Sequence, residues 1–130
     1  MPAITGQTEV FRKGGGCLYV IAYDFGTTGV KTCLFSIGET LKMVAGEYGE
    51  YELYILENGG AEQDTEEWWE AMCTTTRRLF EKVDVRPEQI DGISFCSQMQ
   101  GLVLVDDEGK ALRRPMSYMD QRAVSEMKAS

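Results

Sequence analysis

Nine consecutive residues, Tyr23 to Lys31 (YDFGTTGVK), bring together one carboxylate, two glycines, two threonine hydroxyls and one ammonium. Phosphoryl transfer asks a protein for this set of groups. Backbone N–H groups in a glycine-containing turn and nearby hydroxyls can hold phosphate oxygens, and a hard cation prefers carboxylate oxygen. On this reading Gly26, Thr27, Thr28 and Lys31 face a phosphate, and Asp24 holds Mg²⁺ through water. Gly26 and Gly29 are read as positions free to take positive φ and free of Cβ bulk. The stretch is not a Walker A loop, since GxxxxGK[ST] is absent. Gly, Asp and Thr are also ordinary turn residues, so a plain hairpin turn stands beside the phosphate reading.

Other chemistries find little to work with. The chain has no histidine, which removes Ser-His-Asp and Cys-His catalysis. Its four cysteines, at 17, 33, 73 and 96, form no Cys-x-x-Cys pair, and most lie in or beside apolar runs. Reduced thiols packed as small hydrophobes are expected, not a zinc site. Asp106, Asp107 and Glu108 read as a solvated turn, Glu62 as loop, and Trp68 and Trp69 as helix packing.

The elements that must position the nine residues follow from periodicity. Residues 17–23 form an apolar, β-rich strand. Residues 30–37 alternate, with Val30, Thr32, Leu34 and Ser36 on one face and Lys31, Cys33, Phe35 and Ile37 on the other, which predicts a second strand paired as a hairpin. Residues 41–55 read as further strand with a break near Gly49, and NGGAEQD as a loop. Asp64 is an N-cap candidate, with Glu67 completing a capping box for a helix over Thr65–Val83. A strand follows at IDGISFCSQ, then strand, turn and return strand in GLVLVDDEGKALR, and a helix begins in MDQRAVSEMKAS. The fold class is therefore α/β, a mixed sheet opening with a three-stranded β-meander and containing a parallel crossover. One complete helix cannot cover both faces of such a sheet, so an incomplete domain is expected.

The 130 residues carry a net charge of −8 and are 43% apolar. A core is affordable in such a chain, and the acidic balance disfavours nucleic acid and anionic membrane. No apolar run approaches the length of a membrane helix. Residues 1–16 end in GGG and read as a flexible leader, with the folded part over 17–130 and a cytoplasmic location.

Four segments in order, YVIAYDFGTTGVKTCLF, GGAEQDTEEWWEAM, the strand with SQMQG, and YMDQRA, resemble the opening of the FGGY carbohydrate kinases. Actin and hexokinase share a related first turn but not the other three segments. The resemblance implies a ribonuclease-H-like, actin-like ATPase fold and ATP-dependent phosphorylation of a sugar or polyol hydroxyl, with Mg²⁺ and ATP as cofactors. It places Asp24 near the metal and Thr27, Thr28 and Lys31 at the ATP phosphates. It places Gln98, Met99 and Gln100 at the sugar, with Asp120 and Arg122 on the sugar side. Gln100 stands where xylulokinases carry histidine, and Tyr118 where the family carries tryptophan. The catalytic base aspartate of the family is expected beyond Ser130, so the resemblance covers an N-terminal portion that is inactive alone. A homodimer of the whole enzyme is compatible with it. A non-catalytic binding module and an actin-like ATPase remnant are the other readings.

Overall fold

The computed structural model describes residues 16–129, so the leader expected over 1–16 lies, Gly16 apart, outside the described residues. Strand β1 spans Leu18–Phe25, β2 Gly29–Ile37 and β3 Leu41–Glu50. They form an antiparallel meander, with Asp24 opposite Lys31 and Val30 opposite Gly49. Two short strands, β4 (Tyr54–Ile55) and β5 (Ala61–Glu62), make a separate ribbon. Helix α1 spans Thr65–Lys82, and a 3₁₀ turn at Pro87–Gln89 leads into β6, Ile90–Ser97. A final helix, α2, covers Val124–Ala129. Strand β6 lies parallel beside β1, giving the order β3-β2-β1-β6.

The predicted alternation of β2 holds: Val30, Thr32 and Leu34 are fully buried while Lys31 is exposed. Helix α1 lies against β2 and β3 on that buried face. Its residues Ala71, Thr75 and Leu79, one helical turn apart, meet Ile21, Tyr23, Val30 and Leu34. The Thr32 hydroxyl bonds the Thr75 hydroxyl at 2.7 Å, and Thr75 donates to the Ala71 carbonyl at 2.8 Å, so both buried polar groups are satisfied.

Four expectations need correction. The break after β3 comes at Tyr51, not Gly49. Gly49 stays in the strand because α1 passes so close that a Cβ there would stand 2.7 Å from the Thr75 methyl. The NGGAEQD segment is not all loop. Ala61, Glu62 and Gln63 are buried, and their backbone is held by Gln63 N–H donating to Pro115 O (3.1 Å) and Ser117 N–H donating to Ala61 O (2.8 Å). The capping box does not close: Asp64 accepts from Glu66 N–H at 2.9 Å, but the Glu67 carboxylate turns to Glu52 N–H (2.9 Å) and the Tyr54 hydroxyl. Residues 102–116 do form a hairpin, with mutual bonds of 2.9 Å between Leu102 and Met116, yet its pairing consists of isolated bridges instead of strands. At its tip Asp106 accepts from the Glu108 and Lys110 amides, the solvated turn expected there.

Candidate active site

The C-terminal ends of the adjacent parallel strands β1 and β6 deliver two turns to one edge of the sheet. The first, residues 26–29, is closed by Gly26 N–H donating to Gly29 O at 2.9 Å. Neither glycine has a positive φ, so the expected conformational reason for them does not hold. Close approach explains Gly29: a Cβ there would run into the Gly49 carbonyl and the Tyr48 ring. The Tyr51 hydroxyl, buried beneath the turn, donates to the Gly26 carbonyl and, at 3.0 Å, to that of Gly29. Burial, with Tyr48 and Asp24 adding to it, pushes the Tyr51 pKa up to about 12, so it stays a donor. The amides of Thr27 and Thr28 have no hydrogen-bond partner among the described residues. Their hydroxyls touch the tyrosine hydroxyls of Tyr118 (3.4 Å) and Tyr48 (3.0 Å).

Asp24 and Lys31 stand together in register on the face away from α1, both exposed. Among the described residues no three His, Cys, Asp or Glu side chains gather to hold a metal. A lone exposed carboxylate beside a turn with unpartnered amides fits Mg²⁺ that keeps most of its waters and arrives with a nucleotide's phosphates, not a cation in an all-protein cage.

The second turn follows β6. Gln98 N–H still donates to Phe25 O (2.8 Å), extending the parallel ladder by one residue. Its side chain points inward, with Nε2 2.5 Å from Gln63 Oε1. Met99 is 79% exposed, and Gln100 sits in the left-handed region at φ 63°. Gln63 in turn donates through Nε2 to the Thr27 carbonyl at 2.7 Å. A cavity of about 420 Å³ opens beside these residues, lined among others by Phe25, Gln63, Trp68, Trp69, Gln98 and Met116. Trp68 Nε1 and Gln98 Oε1 are buried with no partner among the described residues. Trp68 also packs edge-on to Tyr51, whereas Trp69 is 63% exposed, so only the first tryptophan is the expected packing residue.

Asp120 and Arg122 are brought close to the site, but their charged ends are taken up by protein. Arg122 pairs with Asp120 (2.6 Å) and Glu62 (2.8 Å), Arg113 pairs with Glu62 (2.5 Å), and Asp120 accepts from Ala61 N–H (3.0 Å). The Arg122 guanidinium, helped by the Ala61 and Arg122 amides, holds the Asp120 carboxyl well below the usual carboxylate range. Glu62 is lowered by Arg122 and then Arg113, both against the effect of burial.

A family model described as the FGGY family of carbohydrate kinases, N-terminal domain, matches residues 19–129. The chain belongs to the FGGY family. Its relatives include the xylulose kinase of Bacillus subtilis, 36% identical over 104 residues, which cover 80% of this chain and 20% of the relative. The gluconokinase of the same organism is 35% identical over 81% of this chain and 20% of its own length. Among solved structures, gluconate kinase from Lactobacillus acidophilus superposes with a TM-score of 0.77 at 29% identity, covering 88% of this chain and 22% of that one. The ligand-bound xylulose kinase from the same organism gives 0.75 at 30% identity over 85% and 22%. This FGGY chain thus spans about a fifth of the length of the relatives it matches, with an α/β, actin-like ATPase fold in part.

Within this FGGY chain the sequence reading missed Tyr51, Gln63 and Glu62. Tyr51 follows a strand, and Gln63 and Glu62 lie in a glycine-rich segment without periodicity. The sequence signal for Glu62 and Gln63 was their place in the GGAEQDTEEWWEAM segment that carries the family resemblance, and Tyr51 had none.

Proposed function

We propose that the protein is the N-terminal portion of an ATP-dependent sugar kinase acting on a ketose or polyol hydroxyl. The carrying observation is that the Thr27–Thr28 turn and the Gln98–Gly101 turn lie side by side and are joined through Gln63. Thr27 and Thr28 receive phosphate oxygens through free amides and hydroxyls, and Lys31 adds positive charge. Asp24 is the residue that would hold Mg²⁺, which when bound offsets phosphate charge. Gln98 Oε1, an acceptor without a partner, together with Met99 and Gln100, supports a sugar hydroxyl at the second turn. Asp120 and Arg122 support that side by fixing the backbone at Ala61 and not by touching sugar. We assign no catalytic base within these residues. No described helix is long and apolar enough to cross a membrane, and we place the kinase in the cytoplasm, with sugar and ATP as its partners.

The test is a titration of the 130-residue chain with Mg-ATP, followed by backbone amide NMR, alongside ATP-consumption assays on a panel of pentuloses, hexuloses and polyols. Movement of the Thr27 and Thr28 amides without turnover is expected. Silence of both amides at millimolar nucleotide sinks the phosphate assignment, and robust turnover sinks the absence of a base. A second reading, a module that binds without chemistry, is favoured by the sheet face that carries no helix among the described residues. A stable oligomer in size exclusion, with no nucleotide response, would support it.

A further inference from the structure

Beyond the last ladder bond, Gln98 N–H to Phe25 O, the two turns leave the sheet and no strand pairing holds them together. The Gln63 carboxamide bridges that gap. It is 1% exposed, and its backbone is pinned by Pro115 O. Its orientation is determined from the Thr27 end. Nε2 must face the Thr27 carbonyl, which can only accept, and this leaves Oε1 to accept from Gln98 Nε2. A flip would set the Gln63 oxygen against the Thr27 carbonyl oxygen in a buried site.

The consequence lies in peptide geometry. In a trans peptide the carbonyl and the following N–H point in opposite directions. By holding Thr27 O inward, Gln63 turns the Thr28 N–H outward. The Tyr51 hydroxyl does the same for the Thr27 N–H through Gly26 O. The two amides left without partners are thus aimed by side chains beneath them, and one of those side chains is tethered to the second turn.

We propose that Gln63 is a positioning residue that couples the Gln98–Gly101 turn to the Thr28 amide, so that a change at Gln98 is felt at the phosphate turn. The coupling rests on the kinase reading for its purpose, but it can be measured without ligand.

The experiment is a chemical-shift cycle on the 130-residue chain with Gln98→Met, Gln63→Met and the double variant, circular dichroism checking the fold. Gln98→Met is expected to displace the Thr28 amide resonance when Gln63 is present and not when it is methionine. An unmoved Thr28, or equal displacement in both backgrounds, overturns the coupling. Where Gln63→Met does not fold, Gln98→Met alone decides. Joint displacement of the Gln63 side-chain amide and Thr28 is expected, and any other pattern overturns the proposal. Pyrophosphate titration separates the two claims. A Thr28 amide that answers Gln98→Met but not pyrophosphate keeps the coupling and sinks the phosphate assignment. One that answers pyrophosphate but not Gln98→Met does the reverse. Where pyrophosphate binds, Gln63→Met is expected to weaken it about fivefold, roughly one neutral hydrogen bond, and unchanged affinity overturns the positioning role.

Discussion

Asp120 holds its proton weakly because Arg122 lies against it and the Ala61 amide donates to it. Its folded pKa is depressed, as is that of Glu62. The sign follows. Their stabilisation is fully present above the unfolded carboxylate values near ~4 and is lost as pH falls through the folded values. The urea midpoint should therefore decline as pH drops below about 5, and Asp120→Asn should lower the midpoint at neutral pH while flattening that decline. A decline of wild-type steepness in the variant would show that acid sensitivity lies elsewhere. The residues that sequence alone singled out, Asp24, Thr27, Thr28 and Lys31, belong to one contiguous stretch. Tyr51 and Gln63, which hold that stretch, lie 25 and 36 residues from the carbonyls they grip. Local pattern carries no information at such separations. Asp120 and Arg122 were legible as a motif, but their burial against Glu62 was not.

Elements β1, β2, α1 and β6 were readable because each is long and periodic: a run of apolar residues, an alternation, a capped helical stripe. The β4–β5 ribbon has two residues per strand, too few for any period to show. The glycines were legible as glycines but not for their reason. At Gly29 and Gly49 the sheet is thinned so that β2, β3 and α1 can close on one another, and the turn over residues 26–29 grows out of that notch. A methyl at Gly29 would meet backbone, which cannot rotate aside. Gly29→Ala is expected to cost about 1–3 kcal/mol through overpacking, measured by urea denaturation. An alanine variant as stable as wild type would mean that β3 can shift, and the account of the notch would fail. The same substitution at Gly26, whose nearest neighbour to an added Cβ stands at 3.4 Å, should be far milder.

At the scale of the molecule, α1 covers β2 and β3 and leaves β6 bare. Phe95 is stacked on Tyr23 at 5.4 Å between ring centres but is still 62% exposed, and Ile93 is 57% exposed. An apolar strand at the edge of a sheet is a template for association. Sedimentation velocity should show concentration-dependent self-association of the 130-residue chain, relieved by Ile93→Lys and Phe95→Ser with little loss of stability. A wild-type chain that stays monomeric at high concentration would remove this prediction. The expectation that one helix cannot cover both faces was sound for the same reason: covering area can be counted from a sequence, whereas contacts cannot. The strand directions carry one more consequence. Phe25, Gly29 and Ser97 all end or begin at one edge of the sheet, while Ile37, Ile90 and the Gly38–Thr40 turn lie at the other. The turns that follow β1 and β6 therefore share one end of the sheet, opposite the Gly38–Thr40 turn. A fluorophore, affinity tag or surface anchor placed at Glu39 would report on or immobilise the chain from behind, with the turns after β1 and β6 left facing solution.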